Sequence, residues 1–297
     1  MSTGPAGHVA RSTVGPNSET TRRTPLRTFL YTDDGVTIDS VYNPGAAVYN
    51  ASRPPSVDLA FVIAHGFTGD VDRPHVRRIA EAFVQYGAVV TFSFRGHGRS
   101  GGRSTVGDRE VLDLAAAVAW ARQLGHARVA TVGFSMGGSV VLRHAALYGA
   151  GEMERAGRGQ EHDGRTEART DAVVSVSAPA RWYYRGTAPM RRLHWLVTRP
   201  EGRLVGRYGF GTRIHHREWD PVPLSPVEAV PRIAPTPLLI VHGDRDGYFP
   251  VDHPLMLAEA AGDHGELWLE PGMGHAEHAA ADGLLARIGD WAVGAAG

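Results

Sequence analysis

Residues 129–148 read VATVGFSMGGSVVLRHAALY, and the pattern changes period partway along. Val129 to Phe134 is short, apolar and largely β-branched, as expected of a strand covered on both faces. Gly138 to Tyr148 carries its apolar residues at helical spacing. Between them, Gly133-Phe134-Ser135-Met136-Gly137 fits G-x-S-x-G, the pattern of a serine carried on a sharp strand-to-helix turn. The pattern alone decides little. With 37 glycines and 14 serines, chance supplies about 0.2 matches, and Gly98-Arg99-Ser100-Gly101-Gly102 fits as well. Context separates the two. Ser135 has an apolar strand before it, small neighbours at Gly133, Gly137 and Gly138, and a helix after it. Ser100 is held off its strand by four residues and followed by more glycine, so it reads as a flexible loop residue.

The strand-then-helix unit repeats on either side of this stretch. Upstream, Thr28 to Tyr31 and Val36 to Tyr42 flank Asp33-Asp34-Gly35 and predict an antiparallel hairpin. Leu59 to Ala64 predicts a buried strand, His75 to Tyr86 a helix, Ala88 to Phe94 a strand, and Val111 to Leu124 a helix with Asp108 and Glu110 as its acidic start. Downstream, Ala172 to Val176, Leu238 to His242 and Glu266 to Glu270 read as strands. A helix around Pro254 to Ala261 and a final one from Ala276 to Val293 complete the order. Alternating strands and helices imply right-handed crossovers and a mostly parallel sheet of about eight strands, covered on both faces. Three stretches stand apart. Residues 1–25 read as a disordered leader, 149–170 as a polar, glycine-rich insert, and 181–233 as an insertion without a long periodic run. Ligands of such sheets bind beyond the C-terminal strand ends, so the third is placed to act as a lid. The core domain is then 26–180 together with 234–297.

Composition sets the remaining bounds. The 31 basic and 31 acidic side chains cancel, hydrophobic residues make up 42%, and cysteine is absent. That removes disulfides, thiolate chemistry and cysteine metal sites, and gives no charge bias toward nucleic acid or an anionic membrane. The first residues hold no apolar signal-peptide core, and no run reaches the ~18 apolar residues of a spanning helix. The expectation is a protein with no integral membrane segment and a cytoplasmic location. Nothing here sets an oligomeric state.

A serine nucleophile needs a histidine to take its proton and a carboxylate to orient that histidine. Both belong beyond the C-terminal ends of later strands. The strand from Leu238 runs into GDRDGYFP, which offers Asp244 and Asp246, and the strand from Glu266 runs into PGMGHAEH, which offers His275 and His278. His275 follows Gly274 in a loop free to project, whereas His278 falls in the final helix, so His275 is the candidate. The two aspartates stay undivided on these grounds. After Leu59 to Ala64, His65-Gly66-Phe67 allows a turn that presents the Phe67 N–H as an oxyanion donor, and Ser135 at a helix start brings the Met136 N–H.

Taken in order and each after a predicted strand, IAHGFTG, SFRGHGRSGG, VGFSMGGS, VHGDRDGYFP and PGMGHAEH resemble the α/β-hydrolase superfamily, in particular its serine esterases and lipases. The resemblance covers nearly everything from Thr28 to Val293 outside the two inserts. It implies the α/β-hydrolase fold, with Ser135 as nucleophile, Asp246 as acid, His275 as base, and Phe67 and Met136 as oxyanion donors. It implies hydrolysis of a small-molecule ester through an acyl-enzyme, with no cofactor, no metal and no nucleic acid. The sequence departs from many relatives in Ser93, where they carry aspartate, and in lacking HGGG. The same constellation serves thioesterases, acyltransferases, carbon–carbon bond hydrolases and perhydrolases, and a non-catalytic binding module is the rival from another class.

The insertion carries nine arginines against two glutamates between Arg181 and Trp219. Trp182, Tyr183 and Trp195 are its candidate pocket residues, walling an apolar acyl site while the arginines cover the outside. The competing expectation is that the basic stretch attracts an anionic substrate, carrier or surface.

Overall fold

The computed structural model describes residues 24–45, 58–149 and 167–297. Residues 1–23 of the expected leader and 150–166 of the polar insert lie outside the described residues. Eight strands form one sheet: β1 (Leu26–Tyr31), β2 (Thr37–Asn43), β3 (Leu59–Ala64), β4 (Ala88–Phe92), β5 (Arg128–Phe134), β6 (Ala172–Val176), β7 (Leu238–Gly243) and β8 (Gly265–Glu270). Their order is β1-β2-β4-β3-β5-β6-β7-β8. β1 and β2 pair antiparallel and β2 runs antiparallel to β4; every later pair is parallel.

Strand alternation divides the core into two layers. Ala60, Val62 and Ala64 of β3 face one side, with Leu114 and Val118 of α2 (Glu110–Gln123), Val140 and Val141 of α3 (Met136–Tyr148), and Leu257. Leu59, Phe61 and Ile63 face the other, against Ile79 and Phe83 of α1 (Pro74–Phe83) and a helix near the C-terminus. Because successive strand side chains point to opposite faces, an uninterrupted apolar run such as LAFVIA belongs in a strand covered on both sides. The six side chains of β3 are all buried.

Two expectations are corrected. The insertion is helical where no long periodic run was expected. It contains α4 (Ala188–Thr198), α5 (Pro200–Gly209) and α6 (Pro226–Ala229), each with proline in its first turn. Proline fixes a helical φ where its missing N–H costs nothing. Arginines interleaved with the few apolar positions hid the period, since only Met190 and Leu196 of α4 are fully buried. The final helix, expected to be continuous, follows α7 (Asp252–Ala261) and β8 as two pieces, α8 (Ala276–Ala279) and α9 (Asp282–Ala295). The backbone turns extended at Ala280 and Ala281. Arg78 Nη2 donates to the Glu277 and Ala280 carbonyls at 2.9 and 2.8 Å, and Arg78 Nη1 donates to Asp282 at 2.7 Å, which satisfies the carbonyls exposed by the break.

The hairpin is tied to the rest through Arg95, just beyond β4. Its guanidinium is 3% exposed and donates to Asp113 Oδ1 of α2 at 2.9 Å and to Asp34 Oδ2 of the β1–β2 turn at 2.7 Å. The Arg95 N–H also donates to Asp113, at 2.8 Å. Asp113→Ala would leave both donors buried without that carboxylate. The expected loss is about 3–5 kcal/mol, read as a lower midpoint in urea unfolding.

Candidate active site

The turn from β5 into α3 is set by how closely three backbones meet. A Cβ on Gly133 would stand 2.2 Å from the Gly137 carbonyl oxygen, and one on Gly137 would stand 2.1 Å from the Ala64 carbonyl oxygen at the end of β3. No side chain fits at either position, so the chain reverses there with Ser135 at the apex. Ser135 has φ 52° and ψ −113°, a conformation that costs a non-glycine residue about 1–3 kcal/mol. The Ser135 N–H donates to the Val176 carbonyl at 2.8 Å and holds the apex against β6. Five other described non-glycine residues have positive φ: Thr68, Val106, Ser177, Tyr183 and Ala276. Thr68 and Ala276 flank Phe67 and His275, Val106 and Tyr183 line the cavity beside Ser135, and the Ser177 hydroxyl accepts from the Ala276 N–H at 3.0 Å. Backbone strain is thus gathered at one end of the sheet.

His275 lies in the loop after β8 and begins α8. Its Nε2 is 2.9 Å from Ser135 Oγ and its Nδ1 is 2.7 Å from Asp246 Oδ2. Asp246 can only accept, so Nδ1 carries the proton and Nε2 is left to accept from the serine hydroxyl. The Asp246 side chain is fully buried, and its other oxygen accepts from the Tyr248 and Phe249 N–H groups at 2.8 and 3.0 Å. Burial pushes its carboxyl up, but the His275 hydrogen bond and charge and the two backbone donors outweigh it. The net result lies below the usual carboxylate range. The Tyr248 ring stacks on His275 with centroids 4.2 Å apart.

Geometry separates the members of both pairs. Asp244 is exposed and accepts from the Gly272 N–H at 2.6 Å, which ties two loops together away from His275. His278 is exposed and packs its ring on His75, with centroids 4.2 Å apart. Ser100 corrects its own expectation. It is fully buried, donates to the Ser93 carbonyl at 2.6 Å and accepts from the Asp39 N–H at 2.9 Å, so it locks the loop after β4 to β2.

Phe67 and Met136 line, together with Ser135, a cavity of about 360 Å³. The sequence reading missed the residues that fix the Phe67 loop. Glu277, 5% exposed, accepts from the Gly66 N–H at 2.9 Å, and His65 holds the loop from the other side. His65 Nε2 accepts from the Phe94 N–H at 3.0 Å, so its Nδ1 donates to the Gly66 carbonyl at 2.7 Å. Burial, reinforced by His97, lowers the His65 pKa to about 3 and keeps the ring neutral. Their signal was legible only as PGMGHAEH and IAHGFTG, quoted for other residues. Glu110 is a third case. Expected as a helix-start acid, it is buried and accepts from the Thr105 and Gly107 N–H groups at 2.8 and 2.9 Å, shaping the wall below the insertion.

The outer wall comes from the 181–233 segment. Trp182 and Tyr183 line the cavity, and both pack on Trp219, with ring centroids 5.1 and 5.5 Å away. Trp195 does not. It is 47% exposed, because Met190, Leu193, His194 and Val197 supply the cavity face of α4 and Trp195 falls outside that stripe.

A family model described as the alpha/beta hydrolase family matches residues 61–287. A monoacylglycerol lipase from Mycolicibacterium smegmatis is 28% identical over 238 residues, 72% of this chain and 80% of the relative. Among solved structures, the Pyrococcus furiosus esterase Pf2001 aligns with TM-score 0.65 and 22% identity, covering 92% of this chain and 93% of its own. The alpha/beta hydrolase GrgF from a Penicillium species aligns with TM-score 0.64 and 19% identity over 92% and 99%. At such identities the two structures speak to the fold. Among the described residues no helix is long and apolar enough to cross a membrane.

Glu277→Ala would leave the buried Gly66 N–H without its acceptor, at about 1–3 kcal/mol, whereas Glu277→Gln retains an oxygen there. The expected order of urea midpoints is wild type, then Gln, then Ala. The buried histidines add a pH dependence. Burial depresses the pKa of His65 to about 3 and of His97 and His253 to about 4, below the ~6.5 of an unfolded histidine. Above pH ~6.5 neither state binds these protons; below it only the unfolded chain does, so stability falls progressively toward pH 4. Urea midpoints measured from pH 7.5 to 4.5 check this, and a flat profile would contradict it.

Proposed function

The chain belongs to the alpha/beta hydrolase family, and from that membership and the site geometry we propose that it is a serine hydrolase of carboxylic esters. The observation that carries the reading is the hydrogen-bonded row Ser135–His275–Asp246 opening onto a cavity with aromatic and aliphatic walls. In this mechanism Ser135 Oγ attacks the ester carbonyl carbon as its proton passes to His275 Nε2. Negative charge gathers on the carbonyl oxygen, which the Phe67 and Met136 N–H groups receive. Each such donor is typically worth about 3 kcal/mol in the transition state. The carbon–oxygen bond to the alcohol then breaks, and His275 returns the proton to the departing oxygen. Water attacks the acyl-enzyme, giving its proton to Nε2, and Ser135 leaves with that proton as the acid is released. Asp246 stays ionised throughout, holding the Nδ1–H tautomer and stabilising the imidazolium.

The similarity to a monoacylglycerol lipase supports ester chemistry. The 181–233 segment acts in this reading as a lid over the acyl pocket, with Trp182 and Tyr183 in its inner wall. Ser135→Ala is expected to abolish p-nitrophenyl ester turnover and fluorophosphonate labelling while far-UV circular dichroism stays unchanged. Asp246→Asn, which disturbs the tautomer of His275, is expected to lower kcat by about 10⁴-fold. Ester turnover persisting in Ser135→Ala would overturn the assignment.

A further inference from the structure

The arginines of the insertion are not all on its outside. Arg191, Arg192, Arg199 and Arg207 are exposed and line no part of the cavity, whereas Arg185, Arg203 and Arg217 line it, and Glu218 is the lining carboxylate. A fourth lining arginine, Arg181, is already neutralised by Asp252 at 2.9 Å. Among the described residues none of Arg185, Arg203 and Arg217 forms an ion pair with a carboxylate. Arg203 is half-buried and anchored through Nη1, which donates to the Val197 and Thr198 carbonyls at 3.3 and 2.9 Å. Its charge therefore stands at a fixed place in the wall. Beyond it the cations continue into Arg103, Arg207 and Arg213, none of them ion-paired among the described residues. Burial lowers the Arg213 pKa, and repulsion from Arg207 and Arg103 lowers it further. The exposed His216 is pushed down by partial desolvation and by His215, Arg217 and Arg103 beside it. With Glu218 the lining carboxylate and no ion pair to it among the described residues, these cations lack the paired counter-charge found elsewhere in this chain, as at Arg27 between Asp39 and Asp72.

Resting on the ester-hydrolase reading for the position of the scissile carbonyl, we propose that this cavity takes an ester carrying an anionic group, a carboxylate or phosphate, away from the reacting carbon. Apolar walls from Trp182, Leu193 and Val197 cover the stem of the substrate. The anionic end meets Arg203 and Arg217, with Arg185 also in the wall. Guanidinium pairs with carboxylate and phosphate through parallel N–H donors, which orients the substrate as well as attracting it. Arg217 is exposed, so part of the attraction is screened by salt and acts on capture rather than on the bound complex.

The test compares mono-p-nitrophenyl esters of four- to ten-carbon dicarboxylic acids with p-nitrophenyl esters of fatty acids of the same length. At low ionic strength the ratio of kcat/KM values, charged over neutral, is expected to reach about 10 or more at one length at least, through KM, and to shrink several-fold in about 0.5 M salt. Arg203→Gln, and separately the exposed Arg217→Gln, which leaves the α4 carbonyls untouched, are each expected to lower that ratio. A ratio of one or less at every length overturns the proposal. Binding keeps the two readings apart. In Ser135→Ala protein, tryptophan fluorescence is titrated with monomethyl adipate, with its phosphate counterpart methyl 6-phosphonooxyhexanoate, and with methyl hexanoate. Tighter binding of either anion supports the cationic pocket and identifies which anion it takes. Equal binding of all three overturns it whether or not esters are cleaved. If the anions bind more tightly while no ester is turned over, the ester-hydrolase reading fails and the pocket stands.

Discussion

The site depends on one contact that admits no side chain. The end of β3, the end of β5 and the first turn of α3 meet so closely that Gly133 and Gly137 have backbone oxygens where a Cβ would be. Once that contact is made, the chain has nowhere to go except through a left-handed residue, and Ser135 occupies it at φ 52°. The strain is held by packing on every side. The Ser135 N–H is tied to β6, the three strands around it are buried on both faces, and α3 is buried along most of its length. A few kcal/mol stored at the apex is tolerable only because the surrounding core over-determines the geometry.

Around that apex the supporting groups are buried polar side chains with committed hydrogen-bond partners. His65 is a neutral ring whose two nitrogens are both committed, one to the Phe94 N–H and one to the Gly66 carbonyl. His253 accepts from the Ala180 N–H at 2.8 Å where β6 leads into the insertion, and His242 meets the Phe249 carbonyl at 2.9 Å in the loop that carries Asp246. Glu277 and Glu110 do for two other loops what the histidines do for these. A buried side chain with defined donors and acceptors positions a loop more narrowly than apolar packing does, because an unmet partner is costly. Burial of His65 and His253 also makes the structure sensitive to acid.

Much of this was legible because the signals were local and repeated. Leu59–Ala64 and Ala172–Val176 are strands at the bounds their apolar runs predict, since a strand buried on both faces has no polar position to blur its ends. Ser135 stood apart from Ser100 for the same reason: strand, small residues and helix are neighbours in the chain. Glycine and arginine around Ser100 predict a flexible loop, yet its hydroxyl is spent on Ser93 and Asp39, and Asp39 is 61 residues away. The insertion defeats periodicity because its helices lean on the core with few buried side chains, and composition alone does not show that Trp195 faces away from the cavity.

By itself the sequence determined the order of strands and helices, the turn that bears Ser135 and the loops in which its partners had to lie, because each is written in contiguous residues whose period and size set local conformation. Only the tertiary structure brought Asp246, and not Asp244, against His275, placed Glu277 behind the Phe67 loop, and set some arginines of the insertion in the cavity wall. Those outcomes depend on distances between segments far apart in the chain, such as the 29 residues from Asp246 to His275 and the 211 from Gly66 to Glu277. No local preference encodes such a distance; it exists only once the sheet has set every loop at the same edge.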